Sequence, residues 1–441
     1  MKNNKVSSIC LVSPRRESWS TTPKIRRVLQ EKNKFLKAWY TPSLSILTIA
    51  GMIPSEVHIT IIDEDFESLN FDQSFDIVAI SAMTQQALRA YEIAREFKKR
   101  GVFVILGGIH ASVFPSEAIN HVDAVFVGEA EKTFPQFLED FQKNEQKRIY
   151  IQEEKIDLTE SPMPRYDIFK RKDYFKDSKS FYNMIPIQTS RGCPHDCEFC
   201  LVTKIYGPKF RKKNSAQIRA EVLEVKKHFP GKLIMFADDN LFLDRKYSKE
   251  LLNELKTLKV RWVAQSDIAV GSDDELLELI YESGCLFLLI GFESINPENL
   301  KTMNKSSWKY KQLNNYPMYI ENIQKHGIIV FGSFIFGLDN DDNNVFKNVV
   351  EFMDRNNITG QLTIATPLPG SRMMERLQSE DRLLYEFPFW DKCSFFDVLY
   401  KPEKMTKSEL EDGFVWAYQE LFNESSFSKR AKYLKSIYKN I

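Results

Sequence analysis

Thr189-Ser-Arg-Gly-Cys-Pro-His-Asp-Cys-Glu-Phe-Cys200 sets Cys193, Cys197 and Cys200 in a C-x3-C-x2-C spacing. The stretch follows the apolar run Met184-Ile-Pro-Ile-Gln188, so the three thiols sit on a short loop that leaves a strand. Three thiolates on one loop suit an iron-sulfur cluster. Such clusters normally take four cysteine ligands, so three leave one iron open to bind and activate a substrate or cosubstrate. The rival is a zinc knuckle. Structural zinc requires four ligands, and only His195, inside the loop, is a nearby fourth.

Downstream of Met184 the chain repeats strand then helix six times. Strands are predicted over Met184 to Gln188, Leu233 to Ala237, Arg261 to Gln265, Leu286 to Gly291, Ile328 to Phe336 and Gln361 to Thr366. Helical periodicity lies between them, near Ala216 to Lys227, Tyr247 to Leu258, Glu275 to Ser283, Lys311 to Lys325 and Val345 to Asn356. Six units fall short of the eight in a closed barrel, so a partial (β/α)6 barrel with a lateral opening is expected. Polar residues gather at the carboxyl ends of the strands, where such folds assemble active sites. They are the cysteine loop, Asp238-Asp-Asn240, Gln265-Ser-Asp267, Gly291-Phe-Glu293, Gly337-Leu-Asp339 and Thr366-Pro-Leu-Pro-Gly370. A helix cap or turn is the plain alternative for Asp238 to Asn240, and a structural role for Gln265, Ser266 and Glu293.

Upstream, Val6 to Val12, Val57 to Ile62, Ile77 to Ile80, Val102 to Leu106 and Ala124 to Val127 read as short strands. A helix from Gln85 to Arg100, stopped by Gly101, separates the third from the fourth. Alternation of this kind predicts a doubly wound parallel sheet, which binds ligands outside the carboxyl ends of its strands. The residues there are Ser81-Ala-Met-Thr84, Gly107-Gly-Ile-His110 and Gly128-Glu-Ala-Glu131. No G-x-G-x-x-G follows the first strand, which argues against a nicotinamide or flavin site. Trp39-Tyr-Thr-Pro-Ser-Leu44 reads as packing, with contact to the ligand as the alternative.

The expected organisation is a ligand-binding domain over 1–142, a polar, proline-punctuated linker over 143–183, the barrel over 184–370 and a helical C-terminal segment over 371–441. That last segment carries Tyr385, Phe387, Phe389, Trp390, Phe395, Phe396 and Tyr400, and is expected to close the open side of the barrel or to form a small core. Its tail, Lys429 to Lys439, is basic and reads as loose at its end.

The 61 basic and 60 acidic side chains nearly cancel, which removes the global field that draws proteins to nucleic acid. Lys209-Phe-Arg-Lys-Lys213 is the most compact basic patch and reads as a solvated loop. No apolar run approaches the ~20 residues of a membrane-spanning helix. The start reads as a first strand rather than a signal peptide, and a cytoplasmic, monomeric protein is expected. Cys10, Cys285 and Cys393 read as small core residues.

C-x3-C-x2-C with an aromatic residue, Phe199, before the last cysteine is the signature of the radical S-adenosylmethionine (SAM) superfamily, which the chain therefore resembles. The Ser81 and Met83 turn with the Gly107-Gly108 pair resembles the cobalamin-binding domain that one branch of this superfamily carries at its N-terminus. That domain's best-known form has an Asp-x-His-x-x-Gly loop, and no Asp-x-His triplet occurs here. The resemblance implies that Cys193, Cys197 and Cys200 hold a 4Fe-4S cluster whose fourth iron chelates SAM. It further implies that Phe199, Asp238, Asp239, Asn240, Gln265, Ser266, Gly291 and Glu293 surround SAM. Cobalamin would lie on Ser81, Ala82, Met83, Thr84, Gly107, Gly108, Ile109, His110, Gly128 and Glu129, without a histidine from an Asp-x-His-x-x-Gly loop on cobalt. The implied activity is methylation of an unactivated carbon through a 5'-deoxyadenosyl radical and methylcobalamin, with an electron donor such as flavodoxin or ferredoxin. The substrate, small molecule or peptide, is not implied. Ring contraction or oxidative cyclisation on the same cofactors is the alternative, and a non-catalytic corrinoid or metal-binding protein is the alternative of another class.

Overall fold

A computed structural model of the chain describes residues 5–16, 18–31, 41–168 and 184–438. Trp39 and Tyr40, the end of the expected linker, and the last three residues lie outside the described residues.

The first sheet is built from β1 (Ser8–Ser13), β2 (His58–Asp63), β3 (Ile77–Ser81), β4 (Phe103–Gly107), β5 (Ala124–Val127) and β6 (Ile149–Ile151). All are parallel, in the order β2-β1-β3-β4-β5-β6. Ile9, Cys10, Leu11 and Val12 are all buried, the continuous apolar run that a strand covered on both faces requires. The chain reverses direction across the sheet between β1 and β3, and such a switch point opens a crevice at the carboxyl ends. β6 lies inside the expected linker and extends the sheet beyond residue 142. Only Tyr150 of its three residues turns inward, too short a pattern to reveal a strand by periodicity.

The second sheet begins with β7 (Met184–Ile187). A two-stranded antiparallel ribbon follows, β8 (Ser190–Arg191) with β9 (Arg211–Lys212), carrying the cysteine loop between its strands. The sheet continues through β10 (Leu233–Phe236), β11 (Trp262–Ser266), β12 (Cys285–Glu293), β13 (Ile329–Phe336) and β14 (Thr359–Ile364). These six parallel strands lie side by side in chain order, an open partial barrel. Helices Ser215–His228, Arg245–Leu258, Asp274–Glu282, Tyr316–Lys325 and Val345–Arg355 cover it, close to the expected spans. Their buried stripes, such as Leu251, Leu252, Leu255 and Leu258, supply much of the core, each buried Leu contributing ~1.5–3 kcal/mol.

Ribbon geometry corrects the solvated reading of 209–213 at two positions, while Lys209 and Lys212 stay exposed as expected. The Arg211 and Lys213 side chains are only 9% and 5% exposed, Lys213 being paired with Glu221. At the C-terminus, helices Arg372–Ser379 and Lys407–Leu421 form as expected, but Glu424–Tyr438 is also helical. Buried Arg430 anchors that last helix to Asp354 and to the carbonyl of Leu421, and the extreme end of the basic tail lies outside the described residues. The C-terminal aromatics build no separate core. Phe396, Tyr400 and Phe414 join the barrel's apolar cluster, while Phe389 and Trp390 join that of the first sheet. Cys10, Cys285 and Cys393 are buried core residues.

Candidate active site

The cysteine loop is held from three sides. At its start, Asp238 is completely buried and accepts hydrogen bonds from the Thr189 amide (3.1 Å), Thr189 Oγ1 (2.8 Å) and Ser190 Oγ (2.5 Å). Gly192 has φ of +94°, and a Cβ there would stand 2.3 Å from the Lys209 carbonyl oxygen, so only glycine lets the loop leave the ribbon here. In the middle, Cys197 bridges to Asn304, whose Nδ2 lies 3.8 Å from the Cys197 sulfur, and the Glu198 amide donates to Met303 O (2.9 Å). Outside, helix Arg372–Ser379 supplies Arg376 to the Glu198 carboxylate (3.1 Å), Arg372 to that of Asp196 (3.2 Å), and the Met373 amide to Glu198 O (2.9 Å).

Burial pushes the Cys193 thiol up to about 11 and that of Cys200 up to about 12, and the neighbouring thiols add to both shifts. Such thiols become ligands only when a bound metal displaces their protons. Among the described residues, no three His, Cys, Asp or Glu side chains are grouped for a single metal ion. His195 is not a fourth ligand: its ring stacks on Trp308 (centroids 5.4 Å apart, 14° between planes), with Nε2 3.8 Å from Asp267 Oδ2. The donor set, three thiols on one loop, fits a cluster with one free iron.

The candidates for SAM meet different fates. Asp238 is spent on Thr189 and Ser190 and does not reach open space. Its neighbour Asp239 is half-buried and accepts from the Gly192 amide (3.3 Å). Asn240 donates Nδ2 to Asp267 Oδ2 (2.7 Å), leaving its buried Oδ1 without a partner among the described residues. Ser266 donates to the Asp267 carbonyl (3.0 Å), and Gln265 is half-buried beside it at the end of β11. A β-bulge falls between Gly291 and Glu293, and Glu293 takes a φ of +64°. Lys309 binds the Gly291 carbonyl and pairs with Glu293 Oε1 (3.4 Å). Phe199 packs on the barrel core. Lys309, Asn304 and Arg191 were missed by sequence reasoning. Lys309, between Trp308 and Tyr310, and Asn304 lie away from the strand ends and carried no signal; only Arg191, inside the decisive stretch itself, offered one.

At the carboxyl ends of the first sheet lies a cavity of about 560 Å³. Ser81, Ala82, Met83, Gly107, Gly108, Ile109, Gly128 and Glu129 line it, with Thr41 to Ile46 forming another wall, so part of the 39–44 stretch is wall rather than packing. Gly108 has φ of +95°, and a Cβ would meet the Ala82 backbone at 2.7 Å; its absence lets the two cradle turns touch. Met83 stays 44% exposed on the rim. The barrel adds Pro186, Gln188, Arg191, Ile205, Tyr206 and Ala237 to the same cavity. Thr84 and His110 do not line it. Thr84 is buried, and His110 is turned into the core, its Nε2 2.7 Å from Tyr91 Oη and its ring edge-on to Trp390. Helix Ile109–Val113 starts at this turn and points His110 inward.

The family model for the radical SAM superfamily matches residues 187–353, and that for the B12 binding domain matches residues 40–138. Bacteriochlorophyllide d C-12(1)-methyltransferase of Chlorobaculum tepidum is 30% identical over 392 residues, covering 88% of this chain and 84% of that protein. The chain belongs to the cobalamin-dependent branch of the radical SAM superfamily. It is a radical SAM methyltransferase whose cofactors are a 4Fe-4S cluster, SAM and cobalamin. Its fold is that of the methyltransferase TsrM from Kitasatospora setae with cobalamin and cluster bound (TM-score 0.68, 13% identity, 96% of this chain and 90% of that one). The cobalamin-dependent radical enzyme OxsB, with aqua-cobalamin and SAM bound, shares it too (TM-score 0.72, 14% identity, 98% and 71%). In this radical SAM methyltransferase no helix among the described residues is long and apolar enough to cross a membrane.

Proposed function

We propose that this enzyme methylates an unactivated carbon held between the barrel mouth and the first sheet. One observation carries the reading: the cavity at the carboxyl ends of the first sheet is completed by Gln188, Arg191, Tyr206 and Ala237 of the barrel, so both cofactor-binding ends face a single space. When bound, the reduced cluster with SAM supplies a hydrogen-abstracting radical, and cobalamin supplies the methyl group. The protein binds, orients and excludes water.

In this reading Cys193, Cys197 and Cys200 ligate the cluster. Asp239, with the Asn240–Asp267 pair, takes the SAM ammonium, Gln265 and Ser266 take the ribose, and the Gly291–Glu293 bulge braced by Lys309 lies along the adenosyl group. Ser81 to Met83, Gly107 to Ile109 and Gly128 cradle cobalamin. No histidine is among the described residues that line the cavity, and the chain would hold cobalamin without a histidine ligand to cobalt. The first domain extends to the end of β6. We take the enzyme to act as a single cytoplasmic copy reduced by a one-electron carrier such as flavodoxin or ferredoxin.

Anaerobically reconstituted enzyme incubated with SAM, a reductant and candidate substrates tests this. Methionine, 5'-deoxyadenosine and S-adenosylhomocysteine should form together with a methylated product. A substrate consumed without S-adenosylhomocysteine would overturn methyl transfer.

A further inference from the structure

A network of four charged side chains joins the two halves at the wall of the cavity. Glu129 and Glu131 follow β5 in the first sheet; Arg191 and Arg211 face them from β8 and β9 of the ribbon. Arg191 Nη1 lies 2.6 Å from Glu131 Oε1 and 3.4 Å from Glu129 Oε1, and Arg211 Nη2 lies 2.5 Å from Glu129 Oε1. Arg211 also donates to the carbonyls of Ile156 (2.8 Å) and Tyr206 (3.1 Å), and Arg191 Nε donates to Gln188 Oε1 (2.7 Å). None of the four side chains is more than 10% exposed.

Burial pushes the Glu129 carboxyl up, but hydrogen bonding to Arg211 and the charges of Arg191 and Arg211 outweigh it and hold the group below its ordinary range. Glu129 is therefore held as a carboxylate against the two guanidiniums. Buried ion pairs add little net stability but bring a heavy penalty when one partner is lost, and they fix geometry because planar guanidiniums accept few orientations.

Placement gives this network its meaning. Arg191 stands two residues before Cys193, and the intervening Gly192 packs closely on the Lys209 carbonyl, so the ribbon and the start of the cluster loop are packed together. Glu129 and Glu131 are continuous with Gly128 of the cobalamin cradle. Other contacts join the halves, among them Asp397 with Thr21 and Trp390 with Glu117. Those residues do not line the cavity, whereas Glu129, Glu131 and Arg191 do.

We propose that Glu129, Glu131, Arg191 and Arg211 form a positioning clamp that fixes the separation between cobalamin and the cluster loop. The proposal rests on the functional reading above. Misplacing reacting groups by about 1 Å can cost ~10²-fold in rate, so a site that must present two cofactors to one carbon requires such a brace.

Holoenzyme carrying cob(II)alamin and the reduced cluster has two unpaired spins, and pulsed electron paramagnetic resonance reads the distance between them without any substrate. Native enzyme should give a single narrow distance distribution. Arg211→Gln, which leaves the cavity lining intact, should broaden or shift that distribution while cobalamin and iron contents stay native. Arg211→Lys, which keeps a charge beside Glu129 but loses the planar fork, should narrow it only in part. Glu131→Gln is the second variant and should broaden the distribution through Arg191 even if Arg211→Gln fails to fold. Native distributions in the variants that fold would overturn the clamp. Native protein that takes up no cobalamin or no cluster would instead overturn the functional reading beneath it.

Discussion

Asp238 and Asp239 are adjacent, identical in chemistry and opposite in use. Asp238 faces inward and is consumed by Thr189 and Ser190, while Asp239 faces the cysteine loop. Sequence made both candidates, because a strand end marks a site but not which side chain turns into it. Burial pushes the Asp239 carboxyl up to about 6, against the Gly192 amide that favours its ionised form. Below that pH the group keeps its proton and offers no charge to an ammonium; above it, the carboxylate attracts one. SAM affinity, measured by equilibrium binding to the oxidised holoenzyme, should therefore rise across roughly one pH unit on either side of that value. Asp239→Asn should bind SAM more weakly and flatten the profile. A wild-type profile that is level across this window would remove Asp239 from the ammonium site. His110 teaches the complementary lesson: following a Gly-Gly turn at a strand end, it read as a ligand contact, yet the helix it enters rotates it toward Tyr91 and Trp390.

Among the elements, the six barrel strands and their helices were legible because each carries a long apolar stripe at a clear period. β6 and the β8–β9 ribbon were not, since strands of two or three residues have no period to read. Helix Arg372–Ser379 was legible as a helix but not as a strap, because its contacts with Asp196 and Glu198 join residues more than 170 positions apart. The strap makes a prediction at this scale. Arg376 and Glu198 are partly exposed, so the pair contributes only ~1 kcal/mol or less to global stability, but it pins the segment between Cys197 and Cys200. Arg376→Ala should release cluster iron to a chelator several-fold faster while the melting temperature changes little and cobalamin stays bound. Unchanged iron release would show that Asn304 and Met303 suffice to hold the loop.

At the scale of the whole molecule, the aromatics of the C-terminal segment complete the cores of both the barrel and the first sheet. Composition could show that these residues would be buried, but not against what, because burial reports environment and not partner. The two-cofactor organisation was legible, since each half carries its own strand-end motif. In the proposed function the cysteine loop performs SAM cleavage while the first sheet independently retains cobalamin. The most direct test is to replace Cys193, Cys197 and Cys200 singly by Ala in the full chain, supply SAM and dithionite anaerobically, and measure 5'-deoxyadenosine together with bound cobalamin. Each variant should produce no 5'-deoxyadenosine and retain native cobalamin; 5'-deoxyadenosine from any of them, or loss of cobalamin alongside the cluster, would contradict it.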